Sequence, residues 1–445
     1  MNVILFAIDT LRADHLGCYG YFRDTSPTID ALAAQGVLFE QAHASAVATG
    51  PGFTSIITGR AAISHGFYLT PFNLANCINF DDNILTLPEL IWEHTGYTTA
   101  AFDNLINFRS HMKQFVRGFE YYVNVTRSPR WIHHHVVGGE VNARLIPWLR
   151  AHADEDFFVF VHYWDPHTPY NQPEDFRRLY QFSGDVEADL QTRTAPAGYS
   201  YVPGWGRVED LVRPGGPTPA QWPRTDEYPI DLYDGEIRYT DHLIEQVVNC
   251  LDDVGVLERT ALLITSDHGE QLGQHGWYGH GGLHEANTFV PMILWRPGLV
   301  PEGLRMEGYV QHDAVAPTVL ELAGAPAEED MTGFSLLAYA RGELEPPAQI
   351  FLETERQRAI LRGQYKLIHD LRGLEKLYDI VNDPMETEDL LPSQPELGAE
   401  LQEALDAWVA ENLADGREDP QLVCQALWEA AGGPEVNKYT LDPPI

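Results

Sequence analysis

Apolar residues run in short unbroken blocks through the first three quarters of the chain, alternating with stretches of helical periodicity. Val3–Ile8 is such a block, as expected for a parallel strand covered on both faces. Others stand at Thr98–Phe102, Phe157–Val161, Ala261–Thr265 and Met292–Trp295. Between them the spacing predicts helices. One opens at Ser26 as N-cap with Pro27 in its first turn, turns Ile29 and Leu32 inward and stops at Gly36. A second spans Thr86–Thr95, with Pro88 early, Leu87, Leu90 and Ile91 inward and Gly96 after it; a long third covers Leu232–Leu251. The alternation predicts an α/β fold, a mostly parallel sheet sandwiched by helices. Reactive groups in such sheets collect in loops at the carboxyl ends of strands.

From about Asn171 to Pro229 the pattern dissolves into Pro, Gly, aromatic and acidic residues, which predicts an insertion or lid at 171–229. Beyond about Glu345 the blocks shorten. Ile350–Glu353, Ala359–Leu361, Lys366–His369 and Lys376–Ile380 predict a small antiparallel sheet, and Glu396–Leu413 an amphipathic helix entered through Pro395. The expected organisation is a catalytic domain over 1–345 and a small domain over 346–445. The end of the chain, closing on Asp442-Pro443-Pro444-Ile445, reads as an extended tail through which a homo-oligomer would form.

Composition narrows the partners. The 445 residues include 65 Asp plus Glu against 29 Lys plus Arg, a formal net charge of −36. Nucleic acid and anionic membrane both need basic patches, so neither is expected. No run approaches the roughly 18–20 apolar residues of a membrane span. Cys18, Cys77, Cys250 and Cys424 form no paired motif, and the chain opens on a strand rather than a charged leader, so free thiols and a cytoplasmic location are expected.

Three clusters carry candidate chemistry. Ile8-Asp9-Thr10-Leu11-Arg12-Ala13-Asp14-His15 ends the first strand, and Thr265-Ser266-Asp267-His268-Gly269-Glu270 ends another. At adjacent strand ends, Asp9, Asp267 and His268 would make a donor set for a divalent cation. Singly each is weak, because an Asp after a strand commonly forms a turn. In the third, Gly50-Pro51-Gly52 precedes a helix-like run and puts Thr49 just ahead of a helix start, where backbone N–H groups favour an anion; the plain alternative is a cap. Asp165 and His167 follow a strand, and His275, His280 and His284 lie in a glycine-rich stretch, which points to an anion or metal pocket. His133-His134-His135 reads as a solvated run, since adjacent residues do not share a face.

Together these segments resemble the sulfatase family of the alkaline phosphatase superfamily. Asp9-Thr10-Leu11-Arg12-Ala13-Asp14-His15-Leu16-Gly17-Cys18-Tyr19-Gly20 is similar to its opening signature, and Ile57-Thr58-Gly59-Arg60 to the end of its nucleophile motif. Asp165-Pro166-His167-Thr168-Pro169-Tyr170, Ser266-Asp267-His268-Gly269-Glu270 and Leu377-Tyr378-Asp379-Ile380 followed by Asn382-Asp383-Pro384 also match. The resemblance implies an alkaline phosphatase-like fold. It implies a metal held by Asp9, Asp267 and His268 with Thr49 and Thr10, catalytic roles for Thr49, His167 and His280, and substrate contacts from Asn104, His284 and Arg12. A second ion would draw on Asp165, His167 and His284. Mn or Zn is favoured, with Mg or Ca permitted.

The departures from the family pattern concern charge. Thr49 stands where the family has the Cys or Ser that is converted to formylglycine, Phe53 stands where it has Arg, and Asn104 and Ile106 replace a Lys and a His. A threonine ester must be cleaved by attack at the central atom, which phosphorus accepts more readily than sulfur. The expectation is therefore a metal-dependent phosphoester hydrolase, acting on a phosphodiester or phosphonate monoester through Thr49. The alternatives are a sulfatase-like enzyme cleaving sulfate esters and a non-catalytic anion-binding relative. Either way the partner is a small-molecule phosphate, phosphonate or sulfate ester, with transfer to an acceptor alcohol also open.

Overall fold

The computed structural model describes residues 1–68, 80–104, 112–125, 138–168, 170–180, 229–272, 274–276, 278–299 and 302–430. Its frame is an eight-stranded sheet. The strands are β1 (Asn2–Ile8), β2 (Val37–His43), β3 (Thr98–Asp103), β4 (Tyr121–Asn124), β5 (Phe157–Tyr163), β6 (Thr260–Ser266), β9 (Met292–Trp295) and β10 (Leu304–Gln311). A separate two-stranded ribbon pairs β7 (Gln271–Leu272) with β8 (Tyr278–Gly279). The order across the large sheet is β10-β2-β9-β6-β1-β5-β3-β4. Only β9 runs antiparallel to its neighbours, so the sheet is mostly parallel, as expected.

Helices cover both faces, and β1 shows why its sequence is apolar throughout. Val3, Leu5 and Ala7 belong to one core cluster, while Ile4, Phe6 and Ile8 belong to the other. Every residue of β1 is buried, and each large side chain contributes about 1.5–3 kcal/mol from leaving water. The alternation of faces follows from the two-residue period of a strand.

Register then places the chemistry. Ile8 pairs with Tyr163 on one side and Ser266 on the other, so β1, β5 and β6 end level. The next residues, Asp9 and Asp267, leave the sheet side by side. Because the neighbours of β1 lie on opposite sides of it, their loops splay apart and leave a crevice at the strand ends.

The predicted helices form, the first with the expected ends and the long one extended at both. The first, α1, is Pro27–Gln35, with Ser26 in the N-cap position and Gly36 after it; the Ser26 hydroxyl takes the Gly17 N–H (3.0 Å) instead of capping. The helix Leu87–His94 opens with a capping box between Thr86 and Glu89 and ends at Thr95, one residue before Gly96. The long helix is Pro229–Asp253. Strands β2, β4 and β10 were not predicted. All three include half-buried or exposed positions, so none reads as a continuous apolar block.

The C-terminal segment forms the expected antiparallel sheet from β11 (Gln349–Glu353), β12 (Gln357–Arg362), β13 (Tyr365–Asp370) and β14 (Leu374–Asp379). Helix Pro395–Asn412 lays Leu401 and Leu405 on Ile360, Leu367 and Leu377. The extended-tail expectation needs correction over Pro420–Ala430, which is a helix. Its Cys424 is buried with Ala46, Ala62 and Tyr68, a tertiary contact that local composition does not announce. The rest of the tail, the insertion beyond residue 180, Ile106, Cys77 and His133–His135 lie outside the described residues. Among the described residues no helix is long and apolar enough to cross a membrane.

Candidate active site

Asp9, Asp267 and His268 converge at the level ends of β1 and β6, all buried, with donor atoms within 4.8 Å of one another. Neither carboxylate oxygen of Asp9, nor Asp267 Oδ2, nor Thr10 Oγ1 has a hydrogen-bond partner among the described residues. Asp267 Oδ1, by contrast, accepts from the N–H groups of Thr10 (3.0 Å) and His268 (2.8 Å), which fixes the carboxylate. His268 Nδ1 lies 2.8 Å from the Gly269 carbonyl, the partner that selects the tautomer with a lone pair on Nε2. Buried carboxylate oxygens left without donors cost several kcal/mol. The donor set therefore fits a divalent cation, with a neutral imidazole and two carboxylates as ligands.

The electrostatics follow from crowding. Burial and the neighbouring Asp9 hold the Asp267 carboxyl well above the usual range. Burial works the same way on Asp9, but His167 and His162 outweigh it and hold that carboxyl low. Burial and the nearby His280 keep His268 well below the ordinary imidazole value, hence neutral.

Backbone strain brackets the same point. Thr10 has φ 55° and Ala48 φ 128°, values L-residues avoid at a cost of about 1–3 kcal/mol each. One follows Asp9 and the other precedes Thr49. Hydrogen bonds hold Thr10 in place: its N–H goes to Asp267, and its carbonyl accepts from the Tyr233 hydroxyl at 2.6 Å.

Thr49 is the first residue of α2 (Thr49–Thr58) rather than the residue ahead of it, and makes no side-chain cap. Its Oγ1 lies 3.4 Å from His268 Nε2. The head of α2 comes this close because Gly52 carries no side chain: a Cβ there would sit 2.8 Å from the Asp267 carbonyl oxygen.

His167 and His280 also reach the site. With Glu270 they form a second group of donors within 4.8 Å. The His280 ring lies 4.3 Å from that of His268 and 5.2 Å from that of His167. Burial alone would lower the His280 pKa, but Glu270, 3.3 Å from Nδ1, raises it to about 9. The ribbon β7–β8 makes this pairing, since Glu270 immediately precedes one strand and His280 follows the other.

Three side chains that the structure brings to this site were given no role from the sequence. His162 Nδ1 is 2.8 Å from Asp103 and its Nε2 3.5 Å from Asp9. Those two carboxylates overcome burial and push it up to about 9. The signals for His162 and Glu270 were present: a histidine near the end of an apolar strand, and an acid directly after Asp-His-Gly. Asp103 carried none.

The remaining predicted residues are placed elsewhere. Asn104 is buried just past β3. Arg12 donates to both oxygens of Asp14 (2.8 and 2.6 Å) and to the Glu270 carbonyl (2.9 Å), so its guanidinium braces the loop after β6. His284 pairs with Glu386 at 3.0 Å and stacks on His275, in a different group of side chains. The second-ion set of Asp165, His167 and His284 is not assembled: Asp165 accepts the Gly138 N–H at 2.7 Å, while His167 groups with Glu270 and His280.

Residues 1–325 match the family model described as Sulfatase, and residues 273–412 that described as N-sulphoglucosamine sulphohydrolase, C-terminal. The chain belongs to the sulfatase family. Iduronate 2-sulfatase of Mus musculus is 26% identical over 338 residues, covering 67% of this chain and 60% of that protein. The chain thus spans less than two thirds of that relative. A protein of Formosa agariphila named sulfatase is 24% identical over 439 residues, covering 86% and 82%. In fold, the chain is similar to a phosphonate monoester hydrolase of Agrobacterium radiobacter, with TM-score 0.72, 18% identity and coverage of 93% and 96%.

These matches correct the phosphodiester and phosphonate expectation. The family model and both curated relatives are sulfatases, and a likeness at 18% identity shows the fold alone. The expectation had leaned on Thr49 and on cations missing from the family positions. His280, expected at the site, and His162, which was not, are each pushed up to about 9 by neighbouring carboxylates and bring positive charge to the pocket.

Proposed function

We propose that this sulfatase-family protein hydrolyses a small-molecule sulfate ester at the Asp9–Asp267–His268 centre. The observation that carries the reading is the buried Asp9 oxygens and Asp267 Oδ2, which take no hydrogen bond among the described residues, next to a His268 whose Nε2 lies 3.4 Å from the Thr49 hydroxyl at the head of α2. A divalent cation, Mn or Zn by donor type, would polarise a sulfate oxygen and acidify the Thr49 hydroxyl.

The chain supplies the rest. Thr49 Oγ1 stands at the positive end of α2, where developing negative charge is stabilised. Its proton passes to solvent, and the oxygen attacks sulfur as the bond from sulfur to the alcohol oxygen breaks. His280, kept protonated by Glu270, hands its proton to the departing oxygen. His162 stays charged between Asp103 and Asp9 and offsets the charge of the sulfate. Water then cleaves the threonine sulfate at sulfur, because threonine lacks the second hydroxyl that lets a formylglycine hydrate expel sulfate by collapse.

The test is turnover of an aryl sulfate by purified wild type, Thr49→Ala and Thr49→Ser with metal supplied. Wild type and the serine variant turn over, and the alanine variant loses activity by about 10³-fold or more. Alanine activity equal to wild type removes Thr49 from the reaction.

A further inference from the structure

A second group of side chains, sharing no residue with the first, has the makings of a cation site. We propose that His275, His284 and Glu386 bind Zn²⁺ or a similar first-row divalent ion. Their donor atoms all lie within 4.8 Å of one another. The two imidazoles are stacked, with centroids 4.0 Å apart and planes 23° apart, and His284 Nδ1 is 3.0 Å from Glu386 Oε2. Two histidines and one carboxylate are a familiar zinc donor set, and ligand bonds of about 2.0–2.2 Å require the stacked rings to rotate out of parallel, because imidazole lone pairs lie in the ring plane.

Backbone strain marks this group as it marks the first. Among the described residues, four non-glycine positions have positive φ. Thr10 and Ala48 flank the first centre; His275 (52°) and Glu386 (53°) belong to this one. A hydrogen-bonded strut between two loops does not need two of its members held in the left-handed region.

Charge favours a cation. Lys366 Nζ lies 2.8 Å from Glu285 and 3.2 Å from Glu386, so one ammonium faces two buried carboxylates and a negative charge remains. The Lys366 contact is to Glu386 Oε1, while Glu386 Oε2 accepts the Glu285 N–H at 2.7 Å. His275 is half-buried, which opens a fourth position to water.

The three ligands come from separate pieces of chain. His275 lies between β7 and β8, His284 just ahead of the short helix Glu285–Thr288, and Glu386 beyond β14. A bound ion would clip the C-terminal sheet to the loops of the large sheet, and metal binding would then appear as stability.

The experiment is a Zn²⁺ titration of metal-stripped, full-length protein, in an Asp267→Asn background that disables the first centre. That variant binds one equivalent of Zn²⁺ and melts several degrees higher with it. Adding His275→Ala weakens binding by about 100-fold or more and abolishes the thermal shift, while the melting temperature without zinc stays put. If Asp267→Asn does not fold, wild type and His275→Ala are compared, and the stoichiometries differ by one equivalent. Equal stoichiometry and affinity with and without His275 overturn the site, as does absence of zinc binding in a folded Asp267→Asn protein.

Discussion

Gly52 lies against the backbone of Asp267 so closely that a Cβ would stand 2.8 Å from its carbonyl oxygen. This approach brings the head of α2 to the end of β6, and with it Thr49 to His268. Gly52→Ala must push the helix away from the metal set. We expect a loss of about 1–3 kcal/mol in stability from overpacking, with a larger fractional loss in turnover. Gly96→Ala is the control, since nothing stands within 4 Å of a Cβ there. Chemical denaturation and aryl sulfate turnover, measured side by side, check both effects. An unchanged Gly52→Ala enzyme would show that the approach is not required.

His280 is expected to serve the leaving group, and that role has a signature. An activated aryl sulfate departs without a proton, whereas an alkyl sulfate does not. His280→Ala therefore loses little on the first and about 10²–10⁴-fold on the second. Rates across a series of leaving groups give the slope. A uniform loss across the series would assign His280 to binding instead.

With Thr49 as the proposed nucleophile, the second half of the reaction is expected to be slow, because a threonine sulfate must be opened by water at sulfur. The enzyme should therefore release a burst of aryl alcohol equal to the enzyme concentration, followed by slower turnover. Mass spectrometry of acid-quenched enzyme should place one added sulfuryl group on the peptide holding Thr49. Linear release from the first turnover, with no adduct, would mean that water attacks directly.

Arg358 ties the C-terminal sheet to the segment before helix Pro420–Ala430, donating to Glu353 at 3.0 Å and to both oxygens of Asp419 at 2.7 Å. Arg358→Gln leaves buried Glu353 without its cation, at a cost of about 3–5 kcal/mol. The pH dependence has a definite sign. Burial would raise the Asp419 pKa, but the hydrogen bonds and charge of Arg358 hold it below the usual value. A depressed carboxyl contributes stability above its unfolded pKa of about 3.9, and the contribution is lost as pH falls through the lower folded value. Acid unfolding of Arg358→Gln should accordingly be shallower than that of wild type between pH 5 and 3. Superimposable curves would contradict it.

How much the sequence revealed depended on burial. Strands covered on both faces, such as Val3–Ile8 and Phe157–Val161, were legible because nothing polar interrupts them. Val37–His43 and Leu304–Gln311 were not, since half-exposed positions break their blocks. Asp9, Asp267 and His268 could be read because they follow such strands, and the level register of β1 and β6 joins them. His162 belongs to an apolar run and meets Asp103 only through the β3–β5 pairing, a contact 59 residues apart that no local pattern records. The resemblance gave His284 a substrate contact, but the Gly281-Gly282-Leu283 segment that follows His280 carries it to Glu386 instead.

The central claim is that this centre cleaves sulfate esters. Its most direct test is kcat/KM for an aryl sulfate and a bis-aryl phosphate with the same leaving group, on one metal-loaded preparation. The sulfate is expected to give the higher value, and Asp267→Asn to lose that activity. Faster cleavage of the phosphate diester, or sulfate cleavage that survives Asp267→Asn, would contradict it.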